Sequence, residues 1–466
     1  MTSAQLPVLD PATREVIGTV PESGTAEIDR VVSHAREAFE TWSRVPVVER
    51  ARLMFRFADA LERRHEELSV SVARENGKTI ADARAEVRRG IEAVEFACGM
   101  PSLMMGDALP DVARGIDSIS VRYPLGVCAG ITPFNFPAMI PLWMAPIAIA
   151  AGNTFVLKPS PQTPLTADLI ASAAEACGFP PHLLTVVHGG TQTAQALVAH
   201  PGIAAVSFVG SSAVARSVHE QASRAHKRVQ ALGGAKNYLV VMPDGVTPAT
   251  ISGIVASAFG GAGQRCLAGS VVVAVGDAGD RLAPLLVEAA TNLRLGHGTD
   301  GSVDMGPVVS DDAMTRISAY VERALASGAR LLLGPKPAPR DGSFLSPVIF
   351  DRVDASSELA REEIFGPVLA IVRVASLDDA LAVANASRYG NASSIFTADG
   401  GAARTFASRI EVGMVGVNVG VAAPMAFFPF GGVKDSIFGD LRCHGKDAVA
   451  FYTQQRVVIS RWPESR

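Results

Sequence analysis

No cysteine in this chain has the spacing that a metal or disulfide framework needs. The five, at positions 98, 128, 177, 266 and 443, are odd in number and contain no CxxC pair. That argues against a zinc site and against a disulfide-stapled scaffold. A reduced, cytoplasmic protein without a bound metal is expected. Aromatic residues make up only 6% of the chain, which speaks against a stacking platform for single-stranded nucleic acid. A net charge of −4 gives no basic footprint for a duplex either. Long apolar runs are also missing. The richest, "MIPLWMAPIAIAAG" at 139–152, is too short to span a bilayer and is interrupted by Pro141 and Pro146. It reads as a buried core helix. The start, "MTSAQLPVLDPATREVIG", lacks the basic stretch and apolar run of a secretory signal.

What is present is length and alternation. With 466 residues, 48% of them hydrophobic, the chain has room for two or three domains with real cores. From about residue 126, short β-branched runs alternate with helical patterns, the mark of parallel α/β units. "GVCAGI", "NTFVLK", "LLTVV" and "AAVSFV" read as buried strands, with helices near 139–152, 165–177 and 191–199 and another over "GSSAVARSVHEQASRAHKRV". A second series starts at "NYLVVM" (237–242) and runs through "SVVVAV", "VLAIVRV", "ASSIFT" and "GMVGVN". Two doubly wound α/β domains therefore follow one another, joined near 232. Ahead of them, residues 25–100 read as two or three charged amphipathic helices with solvated faces. "DSISVRYPLG" and the C-terminal "AFYTQQRVVISRW" read as exposed strands of an arm that pairs with another subunit.

Several short motifs could carry chemistry. "SFVGSS" at 207–212 ends a strand in Gly210 and Ser211 and opens a helix. That suits either a phosphate at a helix N-terminus or an ordinary N-cap serine; no GxGxxG accompanies it. Lys158 in "LKPS" ends a parallel strand, as a ribose contact or as a surface lysine. Asn135, in "ITPFNFPAMIP", is an amide in a rigid apolar loop, suited to an oxyanion or to a turn. Glu363, in "REEIFGPVL", is a ribose ligand or part of a charged loop. Cys266 stands in "FGGAGQRCLAGS" without a histidine or carboxylate nearby. Small neighbours leave room for a substrate and expose backbone N–H groups, and Arg265 could lower the thiol pKa or hold an anion. A small buried filler is the alternative.

Taken in order, "TPFNFP", "LKPS", "HPGIAAVSFVGSS", "LGG", "GQRC", "EEIFGPV" and "PFGG" resemble the aldehyde dehydrogenase superfamily over nearly the whole chain. The resemblance implies a Rossmann-like cofactor domain at 1–112 and 128–232, a catalytic domain at 233–430, and an oligomerisation arm at 113–127 and 446–466. It implies Cys266 as the nucleophile and Asn135, with the Cys266 N–H, as the oxyanion hole. Ile131, Thr132, Pro133, Phe134, Lys158, Ser160, Gly210, Ser211, Glu363 and Phe365 would bind a nicotinamide cofactor. Most of the superfamily has a glutamate, the base for thioester hydrolysis, where this chain has Ala231. A methyl group accepts no proton, so thiolysis by coenzyme A is favoured.

The stretches "SVRYPLGVCAGITPFNFPAMIPLWMAPIAIAAGN", "GAKN" and "FGDLRCHGKDAVAFYTQQRVVISRW" are similar to the CoA-acylating methylmalonate-semialdehyde dehydrogenase group. That likeness implies oxidation and decarboxylation of a small acidic semialdehyde to acetyl-CoA or propionyl-CoA. Arg265, Phe136 and Arg89 (or the adjacent Arg88) would then face the substrate. NAD is the implied cofactor. Pro161, in place of a ribose-binding glutamate, leaves NADP open. A homo-oligomer, a dimer of dimers, is the implied assembly.

Overall fold

The computed structural model describes residues 4–336 and 342–462. Residues 1–3, 337–341 and 463–466, which the expected domain and arm ranges include, lie outside it.

Val127–Ile131 is buried at every position, as a strand covered on both faces must be. It pairs in parallel with Thr154–Lys158 on one side and Ile203–Val209 on the other. Leu184–Val186 and Arg228–Leu232 extend the sheet outward. Ile437–Phe438 returns late in the chain to add an antiparallel edge to Arg228–Leu232. The strand order reverses between Val127–Ile131 and Ile203–Val209, which opens a crevice at their carboxyl ends. The chain then passes directly to Asn237–Val241, which starts a second sheet. Among the described residues its seven strands are parallel except Arg330–Leu333. The fold is the two doubly wound α/β units expected.

The apolar run forms the helix Met139–Ala150, buried along its whole length. Ile80–Cys98 packs across it. Their close approach depends on Gly90, where an added Cβ would lie 2.7 Å from Leu142 Cδ1.

Four elements differ from the sequence reading. The N-terminal stretch forms a hairpin of Gln5–Leu9 and Val16–Pro21. Residues 25–100 hold four helices rather than two or three: Thr25–Trp42, Val47–Arg63, His65–Asn76 and Ile80–Cys98. The C-terminal segment begins as the helix Gly445–Phe451 before becoming the strand Thr453–Arg461. Ala108–Ala113 adds a third strand to Ile116–Pro124 and Thr453–Arg461. This antiparallel sheet exposes Val457 and Ile459, at 66% and 69%. Among the described residues no helix is long and apolar enough to cross a membrane.

Candidate active site

The carboxyl edge of the first sheet faces the amino edge of the second. Thr132–Phe136, Gly210–Ser211 and Gly233–Lys236 leave strands of the first sheet. Cys266, Glu363–Phe365 and Arg388–Tyr389 lead into strands of the second.

The cysteine loop owes its path to glycine. After the helix Pro248–Phe259, residues Gly261, Ala262 and Gly263 take φ values of 57°, 52° and 70°, a left-handed run that costs little only for glycine. A Cβ on Gly263 would meet the Gly366 carbonyl at 2.3 Å. The loop is then locked from its carbonyl side. Asn237 Nδ2 and Asn391 Nδ2 each donate to the Cys266 carbonyl at 2.9 Å. Both asparagines were missed by sequence reasoning. Their only signal was an amide near each strand start.

Cys266 is half-buried and lines two cavities. One, of about 170 Å³, is walled by Phe136, Met139, Trp143, Leu267, Val421 and Phe430, with Lys78, Asp82, Glu86, Arg89 and Arg265 as its charged lining. The other, of about 730 Å³, is lined by Pro133, Phe134, Asn135, Gly210, Ser211, Glu363, Phe365 and Arg388, among others. Burial, with the Glu363 charge adding to it, pushes the Cys266 thiol up to about 12. Its own N–H, Arg265 and the Leu267 N–H pull the other way.

The larger cleft fits a dinucleotide. The helix Ser212–Arg224 opens onto it, and Ser211 at its N-cap makes no side-chain capping bond, so helix-end N–H groups stand ready for an anion. Phe134 and Phe365 meet edge to face, 5.8 Å apart at 87°. Glu363 Oε1 accepts the Ala235 N–H at 2.8 Å. Gly234 must lack a side chain there, since a Cβ would lie 2.3 Å from Glu363 Oε2. Burial raises the Glu363 carboxyl to about 7, against the Ala235 N–H and the charges of Lys236, Arg316 and Arg388.

Other expected residues stand further back. Ile131 and Thr132 are buried at the strand end, outside the cavity lining. Lys158 Nζ donates to the Pro159 carbonyl at 2.5 Å and the Gly189 carbonyl at 2.8 Å, and burial lowers it to about 8. Ser160 Oγ accepts the Gln162 N–H at 3.2 Å. Neither Lys158 nor Ser160 lines the cleft.

Four further placements refine the sequence reading. Arg88 pairs with Glu62 and Glu95 at 2.7 and 2.6 Å. Arg89 lines the smaller cavity and donates to the Pro424 carbonyl at 2.6 Å. Arg265 Nη2 donates to the carbonyls of Ala256 and Ser257, while its buried Nε has no hydrogen-bond partner among the described residues. Ala231 is fully buried in the apolar cluster of the first sheet and lines neither cavity. Its position therefore does not by itself reveal a vacated base beside Cys266.

A sequence model of the aldehyde dehydrogenase family matches residues 1–458. Malonate-semialdehyde dehydrogenase 1 of Geobacillus thermodenitrificans (strain NG80-2) is 49% identical over 458 residues, covering 98% of this chain and 95% of that protein. The crystal structure of methylmalonate-semialdehyde dehydrogenase from Oceanimonas doudoroffii superposes with a TM-score of 0.98 at 43% identity, covering 100% of this chain and 96% of that one. A structure from Sinorhizobium meliloti 1021, complexed with NAD, gives 0.97 at 41% identity, with 99% and 95% covered. This chain, by sequence and by fold, belongs to the aldehyde dehydrogenase family.

Proposed function

We propose that the protein oxidises a small acidic semialdehyde, malonate or methylmalonate semialdehyde, to an acyl-CoA through a thioester on Cys266. The observation that carries this reading is the position of one thiol between two dissimilar cavities. The smaller is apolar with arginines at its wall; the larger, of about 730 Å³, has a helix N-terminus at its edge. The names of the relatives support the same substrate class.

In this reading the aldehyde enters the smaller cavity, its carboxylate toward Arg89 and the open edge of Arg265. Charge-assisted bonds to guanidinium fix the orientation of such a group. Cys266 Sγ, as thiolate, bonds to the aldehyde carbon. The carbonyl oxygen takes the negative charge and is held by the Asn135 amide and the Cys266 N–H. A bound NAD would supply the acceptor for the hydride that leaves this carbon. Phe134 and Phe365 wall its site, Gly210 and Ser211 present helix-end donors, and Glu363 offers a carboxylate for ribose hydroxyls. Ile131, Thr132, Lys158 and Ser160 support that wall from behind.

The thioester that remains is opened by the thiolate of CoA, which forms the new C–S bond as Cys266 leaves as thiolate. The substrate's free carboxylate departs as CO₂ as the neighbouring thioester carbonyl takes up the electron pair, and a proton from solvent then completes the α-carbon of the resulting enolate. We read the first sheet as the cofactor half and the second as the catalytic half. The exposed three-stranded sheet is read as an arm for a homo-oligomer.

The test is a product assay with both semialdehydes, with and without CoA, for NAD and NADP. Acyl-CoA and CO₂ in step with NADH are expected. Free dicarboxylic acid, formed at a rate indifferent to CoA, would refute the reading. The hydrolytic alternative has one observation in its favour. Glu363, in the cleft with Cys266 and raised to about 7, has the pKa of a general base.

A further inference from the structure

We propose that Lys78 and Glu86 are positioning residues that set the aim of the Asn135 amide, an inference that rests on Asn135 being the oxyanion donor. Lys78 Nζ lies 2.5 Å from Glu86 Oε2, and the two side chains are 4% and 1% exposed. The same Nζ donates to the Asn135 carbonyl at 2.7 Å and stands 4.3 Å over the Phe136 ring. The other oxygen, Glu86 Oε1, accepts the N–H groups of Ala138 and Met139 at 2.8 and 3.2 Å. One ion pair thus grips both ends of the segment 135–139. It holds the carbonyl of the first residue and two N–H groups at the start of the helix Met139–Ala150. Two residues upstream of Lys78, Asn76 Nδ2 holds the Phe134 carbonyl at 3.0 Å.

The far side of Asn135 is fixed as well. Its Nδ2 donates to the Gln264 carbonyl at 3.1 Å, two residues before the nucleophile. One N–H of the amide is thereby committed, and the orientation of the other is determined. Stability alone is a poor account of the ion pair, because burying two charges costs about as much as their attraction returns. A pre-organised donor needs such support, since misplacement by about 1 Å can cost about 100-fold in rate.

Lys78 also lines the smaller cavity, so a direct contact with the substrate carboxylate must be separated from positioning. The experiment compares Lys78→Met, Lys78→Arg, Asn135→Ala and the double variant Lys78→Met/Asn135→Ala in the full-length enzyme. Malonate semialdehyde and propanal, an uncharged aldehyde, serve as substrates. Asn135→Ala should lower kcat by about 10²–10³-fold, the usual loss for one oxyanion donor. Lys78→Met should lower kcat by about as much for both aldehydes, with KM for NAD within about twofold of the parent. The double variant should be no worse than Asn135→Ala, and Lys78→Arg should recover at least about tenfold.

Should Lys78→Met not fold, Lys78→Met/Glu86→Gln removes both charges and keeps an acceptor for Ala138 and Met139. The same loss is expected of it. Losses that multiply in the double variant, or a loss confined to the acidic aldehyde, would overturn the proposal. A loss of under about tenfold in Asn135→Ala would instead refute the oxyanion reading beneath it.

Discussion

The free enzyme should hold a reluctant thiol, and its reluctance can be measured. Burial and Glu363 place the Cys266 thiol at about 12. At pH 8 only about one molecule in 10⁴ would then be thiolate, against about one in four for a free thiol near 8.5. A more basic thiolate is also more nucleophilic, by roughly 30-fold over this interval at a Brønsted slope of 0.4–0.5. The net expectation is exchange with 2-hydroxyethyl disulfide about 100-fold slower than for free cysteine. The rate should climb about tenfold per pH unit without a plateau below pH 10. Peptide mass spectrometry must assign the rate to Cys266, because half-exposed Cys177 competes. Glu363→Gln removes a like charge and should speed the reaction above pH 7, where that carboxyl is ionised. A plateau with a midpoint below pH 8.5, or slower exchange in Glu363→Gln, would refute the electrostatic account.

Arg89→Met should raise KM for malonate semialdehyde by about 10–100-fold, the range for a lost charged hydrogen bond, and leave propanal unaffected. Arg88→Met, which breaks exposed pairs with Glu62 and Glu95, should change neither; equal effects in steady-state assays would place the wrong arginine at the cavity. Ala231→Glu should destabilise the fold by several kcal/mol, because it buries an unpaired charge in the apolar cluster of the first sheet. An unchanged unfolding midpoint together with faster hydrolysis would show instead that position 231 reaches the thioester.

Both sheets were legible because their central strands are covered on both faces. Val127–Ile131 and Asn237–Val241 are buried throughout, and apart from Asn237 they read as apolar runs whatever surrounds them. The helix Gly445–Phe451 was not legible, because seven residues are too few for a helical period to emerge before the strand pattern of Thr453–Arg461 takes over. The edge strand Ile437–Phe438 is shorter still. It exists only because Arg228–Leu232 offers it a ladder, and pairing of residues so far apart leaves no local trace.

The candidate site residues could be named from the sequence, but not their commitments to the backbone. Arg265, read as a thiol activator or a substrate clamp, has an obligation to the backbone first. Its Nη2 serves the carbonyls of Ala256 and Ser257, which lie in the last turn of Pro248–Phe259. The Ala256 carbonyl also accepts the Gly260 N–H, so Arg265 adds a second donor there, and a cation at this end meets the negative end of the helix dipole. This anchoring does not compete with substrate binding. It fixes the guanidinium plane while Nε has no partner among the described residues and the side chain still lines the cavity beside Cys266. A guanidinium already immobilised loses little further entropy when it meets a carboxylate. The same anchoring makes Arg265→Lys a poor replacement, because an ammonium has no planar fork to divide between helix end and substrate. An arginine beside Cys266 thus serves the helix-end carbonyls and, in the proposed reading, a substrate carboxylate as well; a local reading of "GQRC" suggests only the second.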